Sequence, residues 1–439
     1  MDDGNAEWIG RTFTSDVGWT HLERLVDVGN RMAGSEGERA GREATREALE
    51  AAGARNVRID EFGVQGWERG TSSLAVGGTE QECIALPRGP AGSATGELVH
   101  LGYGLPADFE RDIEGAVVVV SSTVPDHVDR FIHRREKYYR AVEGGAAAFV
   151  FANHVEGRLA PTGSVGGADA PLGEIPAVGV SKEVGARLER RFEGEEATVT
   201  VDCATPAATS GSIHAELGPD TDREVLLTSH VDAHDIAEGA MDNGAGTATL
   251  VEVMRALADR EDDLETRVRA VAFGAEEVGL VGSSREADRC DPGDLKAVVN
   301  LDGVLRGRTL SVATHGFDGL GEAARAVADR TGHPIEVVPE QMPHSDHWPF
   351  VERGVPGYMV SGRSEERGRG WGHTRADTID KLERRDLRES AILLTELVVE
   401  VASGNRTVAH RDPSAIASAL EREGHAEGMR LTGDWPFDG

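Results

Sequence analysis

The chain has 439 residues, long enough for two domains and a sizeable core, and carries a formal net charge of −31. With a sequence pI of about 4.9, its field disfavours nucleic acid and anionic membrane as partners. Lys137, Lys182, Lys296 and Lys381 are the only lysines, so arginine carries most of the positive charge, and acidic residues run along the whole chain rather than in a tail. This pattern predicts a salt-adapted surface that stays hydrated where long-range repulsion is screened. Full activity and an intact fold in dilute buffer would count against that reading. Cys83, Cys203 and Cys290 are odd in number, widely spaced and form no CxxC pair. Neither a disulfide framework nor a thiolate zinc site is expected, and three buried thiols are. Residues 1–7 lack a basic segment followed by an apolar one, and no apolar run is long enough to span a bilayer. A cytoplasmic protein is therefore expected.

In chain order, residues 15–53 read as helical with a break at Arg31–Ser35. The second helix runs from about Glu36 to Ala52, with Gly53 placed to cap it. Residues 56–62 alternate as a strand around Val57 and Ile59. From about Leu98 to Leu188 the texture changes. Short apolar strands are expected at Gly115–Val120, Ala148–Phe151 and Ile175–Val180, with a helix through Lys137–Ala141 and a glycine-rich loop over Gly163–Gly173. From Glu224 onward strands alternate with helices. Strands are expected at 224–229, 268–273, 297–301, 309–313 and 357–360, and helices at 245–257, 320–330 and 388–402. Such alternation predicts an α/β fold with a mostly parallel, mixed sheet between helices. The segment after about Gly404 is polar, with one expected helix at Ser414–Arg422.

The chemistry concentrates at strand ends. His230-Val-Asp232 closes one strand, Glu276-Glu277 follows a second and Asn300-Leu-Asp302 ends a third. Ala240-Met-Asp242-Asn-Gly-Ala-Gly246 and His373-Thr-Arg-Ala-Asp377-Thr complete the set. In open α/β sheets ligands gather outside the carboxyl ends of strands, so groups far apart in sequence converge there. Two histidines, three carboxylates of ligand type and one spare carboxylate suit two adjacent divalent ions and a general base. Asp242 is the candidate bridge, in a glycine-rich setting that lets backbone come close. Asp232 is placed to accept a hydrogen bond from the His230 imidazole. Glu276 and Glu277 point in different directions at a strand end, so one can coordinate while the other takes a proton from activated water. His234, and His344 and His347 on either side of Asp346, read as loop histidines rather than ligands.

With Ser345-Asp346-His-Trp-Pro-Phe350 and the weaker Gly29–Ser35 segment, these motifs resemble the co-catalytic zinc aminopeptidase and glutamate carboxypeptidase family, whose relatives include transferrin receptors and glutaminyl cyclases. The resemblance implies a phosphorylase/hydrolase-like sheet with one Zn2+ on His230, Asp242 and Asp302. A second Zn2+ would lie on Asp242, Glu277 and His373, and Co2+ or Mn2+ are possible substitutes. It further implies Glu276 as the general acid/base, beside Asp232 as the catalytic aspartate that supports His230, and a cis Asp242–Asn243 peptide. Residues 98–188 are similar to a protease-associated (PA) domain, a β-rich insertion that in relatives lies beside the active site. The implied organisation is a peptidase domain over 1–95 and 196–405, the insertion over 96–195 and an acidic tail over 406–439. One departure stands out: Trp371-Gly372 precedes His373 where some aminopeptidases carry a tyrosine that stabilises the oxyanion.

These observations predict a metallo-exopeptidase acting on peptides, first an aminopeptidase, with a carboxypeptidase or dipeptidase on the same scaffold as the rival. A glutaminyl cyclase is disfavoured because both ligand triads are present. A non-catalytic, transferrin-receptor-like binding protein is disfavoured because Glu276 is present. Side-chain preference and oligomeric state are not legible.

Overall fold

The computed structural model describes residues 7–364 and 370–437; most of the amino-terminal stretch read for a leader segment, residues 1–6, lies outside them. Two eight-stranded sheets organise the chain. The first is built around three strands, Glu224–His230, Arg267–Phe273 and Leu295–Leu301, in which nearly every residue is buried. Runs such as Val225-Leu-Leu227 and Val298-Val299 are apolar on both faces, as a parallel strand covered on both sides must be. Along Val225-Leu226-Leu227 the outer two side chains join one core cluster and the middle one joins another. Helices Ala245–Ala258 and Arg384–Ala402 pack on the first face. The first of these is buried almost all round, which its Ala, Leu, Val and Met content permits. Helices Val281–Arg289 and Trp348–Val351 lie on the other face.

Strand Glu224–His230 pairs in parallel with Arg267–Phe273 on one side and Leu295–Leu301 on the other. The chain therefore leaves this strand first to one side and later to the other, a topological switch point whose carboxyl end is open to a ligand. Gly357–Gly362 extends the parallel core, while Arg55–Gln65 and Ala207–Leu217 close one edge antiparallel. Leu310–Ala313 and Ile335–Val338 close the other edge.

The second sheet has a parallel centre of Gly92–His100, Val117–Ser121, Ala148–Ala152 and Ala177–Val180. Its antiparallel flank includes Glu68–Val76 and Glu196–Ala204, one strand from each side of the 96–195 segment. The insertion is thus anchored by strands outside that segment. The carboxyl-terminal segment is not a polar tail. Besides Pro413–Arg422 it forms a second helix, Ala426–Thr432, and Ile416, Leu420 and Met429 enter the main core. Its contacts with the inserted module include Arg135 to Asp434 at 2.6 Å and Arg140 to Glu427 at 2.9 Å.

Helix Glu36–Ala51 starts at Ser35, whose hydroxyl accepts from Glu38 N, and is followed by Gly53 at φ +90, as a left-handed cap position requires. The three cysteines are unpaired and half-buried rather than buried. Among the described residues no helix is long and apolar enough to cross a membrane.

Candidate metal centre

His230 is the last residue of its strand, Glu276 and Glu277 follow Phe273 by a three- and four-residue step, and Asp302 directly follows Leu301. The three strand ends therefore deliver their side chains to one place. Asp242 and His373 join them from loops. Asp242 Oδ1 lies 3.4 Å from His230 Nε2, and its Oδ2 lies 3.0 Å from His373 Nε2. On the far sides of that carboxylate, His230 Nε2 is 3.9 Å from Asp302 and His373 Nε2 is 3.3 Å from Glu277. Two adjacent groups have ligand atoms close enough to hold an ion: His230, Glu276 and Asp302, and His234, Glu277 and His373.

The residues around these groups fix their position. Asp377 accepts hydrogen bonds from Met241 N at 2.7 Å and Asp242 N at 3.1 Å. The Asp242–Asn243 peptide is cis, as the resemblance implies. Asn243 donates to Leu301 O and accepts from Gly246 N, and a Cβ on Gly246 would stand 2.1 Å from the Asn243 side-chain oxygen. Only glycine fits there. Ser345 donates to Asp302 and accepts from Asn300, both at 2.8 Å.

Asp232 departs from its expected partner. Its carboxylate oxygens accept from the backbone amides of Glu276 and Glu277, each at 3.1 Å. The His230 ring instead meets the Asp232 main-chain oxygen at 3.1 Å, with the carboxylate at 3.6 Å. Two outward-turned amides at a strand end are strong donors with no ladder partner, and a buried carboxylate satisfies both. Asp232 thus positions the Glu276–Glu277 backbone and supports His230 through its own carbonyl.

Electrostatics separate the two glutamates. Burial pushes the Glu276 carboxyl well above the usual range; His230 opposes this, while Glu277, Asp346 and Asp302 add to it. Burial acts on Glu277 in the same sense, but His234 and His373 hold its carboxyl well below the usual range. Burial disfavours the charged form of His230, and the carboxylates of Glu276, Asp232, Asp242 and Asp302 more than offset that. His230 Nε2 and Glu277 Oε1 are buried without a hydrogen-bond partner. Such orphaned atoms among imidazoles and carboxylates, with no thiolate nearby, fit divalent cations that take N and O ligands.

His234 is a loop residue, but it belongs to the site: its Nε2 is 2.9 Å from Glu277 and its ring stands edge-on to His373 at 4.4 Å. Only its nearness to His230 in sequence hinted at this. His347 turns into the core and stacks on His315. His344 lines the cleft, stacked at 4.8 Å on His133 of the inserted module. That module covers the centre directly: Thr162 N donates to His373 O, and Arg88 donates to Val278 O. A cleft of about 350 Å³ runs from Glu276 and Glu277 between the module and the sheet.

Paired metal-ligand groups at a switch point, covered by an inserted domain, define a metallohydrolase. Residues 212–398 match the peptidase family M28, and residues 94–188 match the PA domain. The chain is 29% identical over 319 residues to aminopeptidase YwaD of Bacillus subtilis (strain 168), covering 70% of this chain and 67% of that protein. The solved aminopeptidase from Aneurinibacillus sp. strain AM-1 superposes with a TM-score of 0.69 at 25% identity, covering 92% of this chain and 98% of that one. BSAP, a zinc aminopeptidase from Bacillus subtilis, superposes with a TM-score of 0.67 at 26% identity, over 88% and 94% of the two chains. This chain is a metallopeptidase whose residues 212–398 are similar to family M28 and whose residues 94–188 are similar to the PA domain.

Proposed function

We propose that the protein is a two-zinc aminopeptidase that removes N-terminal residues from peptides. The observation that carries the second ion is the two-faced contact of Asp242, with one oxygen toward His230 and the other toward His373. In this reading His230, Asp242 and Asp302 hold one zinc, Asp242, Glu277 and His373 hold the other, and cobalt or manganese can substitute. Zinc, and the amino end rather than the carboxyl end, are supported by the relatives described as aminopeptidases, one of them a zinc enzyme.

When bound, such a pair of ions polarises the scissile carbonyl and makes water acidic enough to attack at neutral pH. Glu276 takes the proton of the attacking water and returns it to the leaving amine nitrogen. Asp232 keeps Glu276 in place through its backbone amide, and Asp377 does the same for Asp242. Trp371 and Gly372 offer no hydroxyl to the developing oxyanion, so charge stabilisation rests more heavily on the ions.

The three unpaired thiols suit a reducing compartment, and we place the enzyme in the cytoplasm; recovery of the protein in the membrane or secreted fraction would contradict that. The direction of cleavage is tested with two dipeptides, one blocked at its amino end and one at its carboxyl end. Cleavage only of the carboxyl-blocked dipeptide is expected. Cleavage only of the amino-blocked one would make the enzyme a carboxypeptidase.

A further inference from the structure

Ser345, hydrogen-bonded to Asp302, leads into the short helix Trp348–Val351, and Glu352 continues that turn with its N–H on Trp348 O at 3.0 Å. Trp348 and Glu352 are four residues apart on helical backbone and so share a face. Both line the cleft that begins at Glu276. The opposite wall of this stretch is the carboxyl-terminal segment Gly433–Pro436, including Trp435, held against the inserted module by the Arg135–Asp434 pair.

Across from that segment, the side-chain polar groups of Glu352 and Trp348 lack partners among the described residues. Glu352 is half-buried, and among the described residues its carboxylate has no hydrogen bond and no ion pair. Trp348 is only 4% exposed, and its indole N–H has no acceptor. The nearest cations are already engaged. Arg353 turns away onto Ala287 O and Asp288, Arg135 is bound to Asp434 and Thr432 O, and Arg134 Nε donates to Ser164 O. Burial pushes the Glu352 carboxyl up to about 8; Arg353 pulls it back only in part, and Asp434 and Asp288 add to the rise. A buried carboxylate left without a cation is costly unless something else supplies one.

We propose that Trp348, Glu352 and Trp435 form a subsite for a cationic side chain, that of an arginine or lysine at the N-terminus of the peptide, with Glu352 as its counter-charge. The inference rests on the aminopeptidase reading above. Two aromatic rings, one of them Trp435 with Arg430 already over its ring at 4.3 Å, and one acid suit the apolar stem and charged head of these residues. The released residue is the one concerned, because Trp348, Glu352 and Trp435 line the same cleft as Glu276.

The test compares arginine, lysine and leucine p-nitroanilides on wild type and Glu352→Gln. The substitution keeps the shape and breaks no contact within the protein, so the variant is expected to fold. Its kcat/KM is expected to fall by about tenfold or more for arginine and lysine, with leucine nearly unchanged, because a charge-assisted bond is lost. In wild type the arginine-to-leucine ratio is expected to rise between about pH 6 and 9 as Glu352 ionises, and to stay flat in the variant. Equal effects on all three substrates would overturn the subsite. Calorimetric binding of argininamide and leucinamide separates the two levels of the account. If no aminoacyl substrate is turned over, the aminopeptidase reading fails. Argininamide binding weakened selectively by Glu352→Gln would still uphold a cation site, and binding unchanged by it would overturn that too.

Discussion

Glu276→Gln is expected to lower kcat by about a hundred- to ten-thousandfold, the range found for removal of a positioned general acid/base, while leaving the metal content unchanged. Glu276 sits at the cleft, only half-buried, next to His230 and Asp302. It has no ligand role in the proposed scheme, so the amide variant keeps the shape of the site and loses only the proton acceptor. Burial raises its carboxyl, and its backbone is fixed by Asp232. Full activity in this variant would sink the assignment of the base. Loss of metal together with activity would move Glu276 into the ligand set.

Asp242→Asn has the opposite signature. Because Asp242 faces both His230 and His373, an amide there loses the negative charge shared by two cations and turns one donor toward a bound ion. Both ions are expected to be lost or greatly weakened together, with activity falling to the level of the chelated enzyme. The backbone hydrogen bonds from Met241 N and Asp242 N to Asp377 do not use the replaced side chain, so the fold should hold. Retention of one tightly bound ion, seen by elemental analysis of the variant, would show that Asp242 serves a single site.

The parts of the fold visible in the sequence are those where one chemistry dominates a short stretch. Val225–Leu227 and Val298–Val299 are apolar throughout because both faces of a central parallel strand are covered, and each ends in a group able to bind metal. The strand Ala207–Leu217, second from the edge, was hidden by its composition: Ser210, Gly211 and Ser212 fit close packing against Glu38 and Gly274 and carry no strand period. Glu196–Ala204 buries Ala197, Val199 and Val201 on one face with a period of two, whereas Glu68–Val76 is buried only at Leu74 and Val76. The helix at Ala426–Thr432 is short, and its Met429 finds the core only through the tertiary fold.

The site divides in the same way. His230, Glu276, Glu277 and Asp302 were legible as candidates because motif and strand end coincide, and Asp242 and His373 by motif alone. The part His234 plays, the hold of Asp377 on Asp242, and the lining of the cleft by Glu352 and Trp435 were not. Each depends on a loop or terminal segment folding back onto the switch point, which no local pattern encodes. The turn of the Asp232 carboxylate toward the Glu276 and Glu277 amides likewise follows from two backbone donors that a sequence does not display.

The central claim is a pair of ions shared through Asp242. It is tested most directly by elemental analysis of the purified chain alongside aminoacyl-p-nitroanilide turnover, with and without a chelator. About two zinc ions per chain, with release of free amino acid that stops on chelation and returns on adding zinc, is the predicted result. A single ion per fully active chain, or activity indifferent to the chelator, would contradict it.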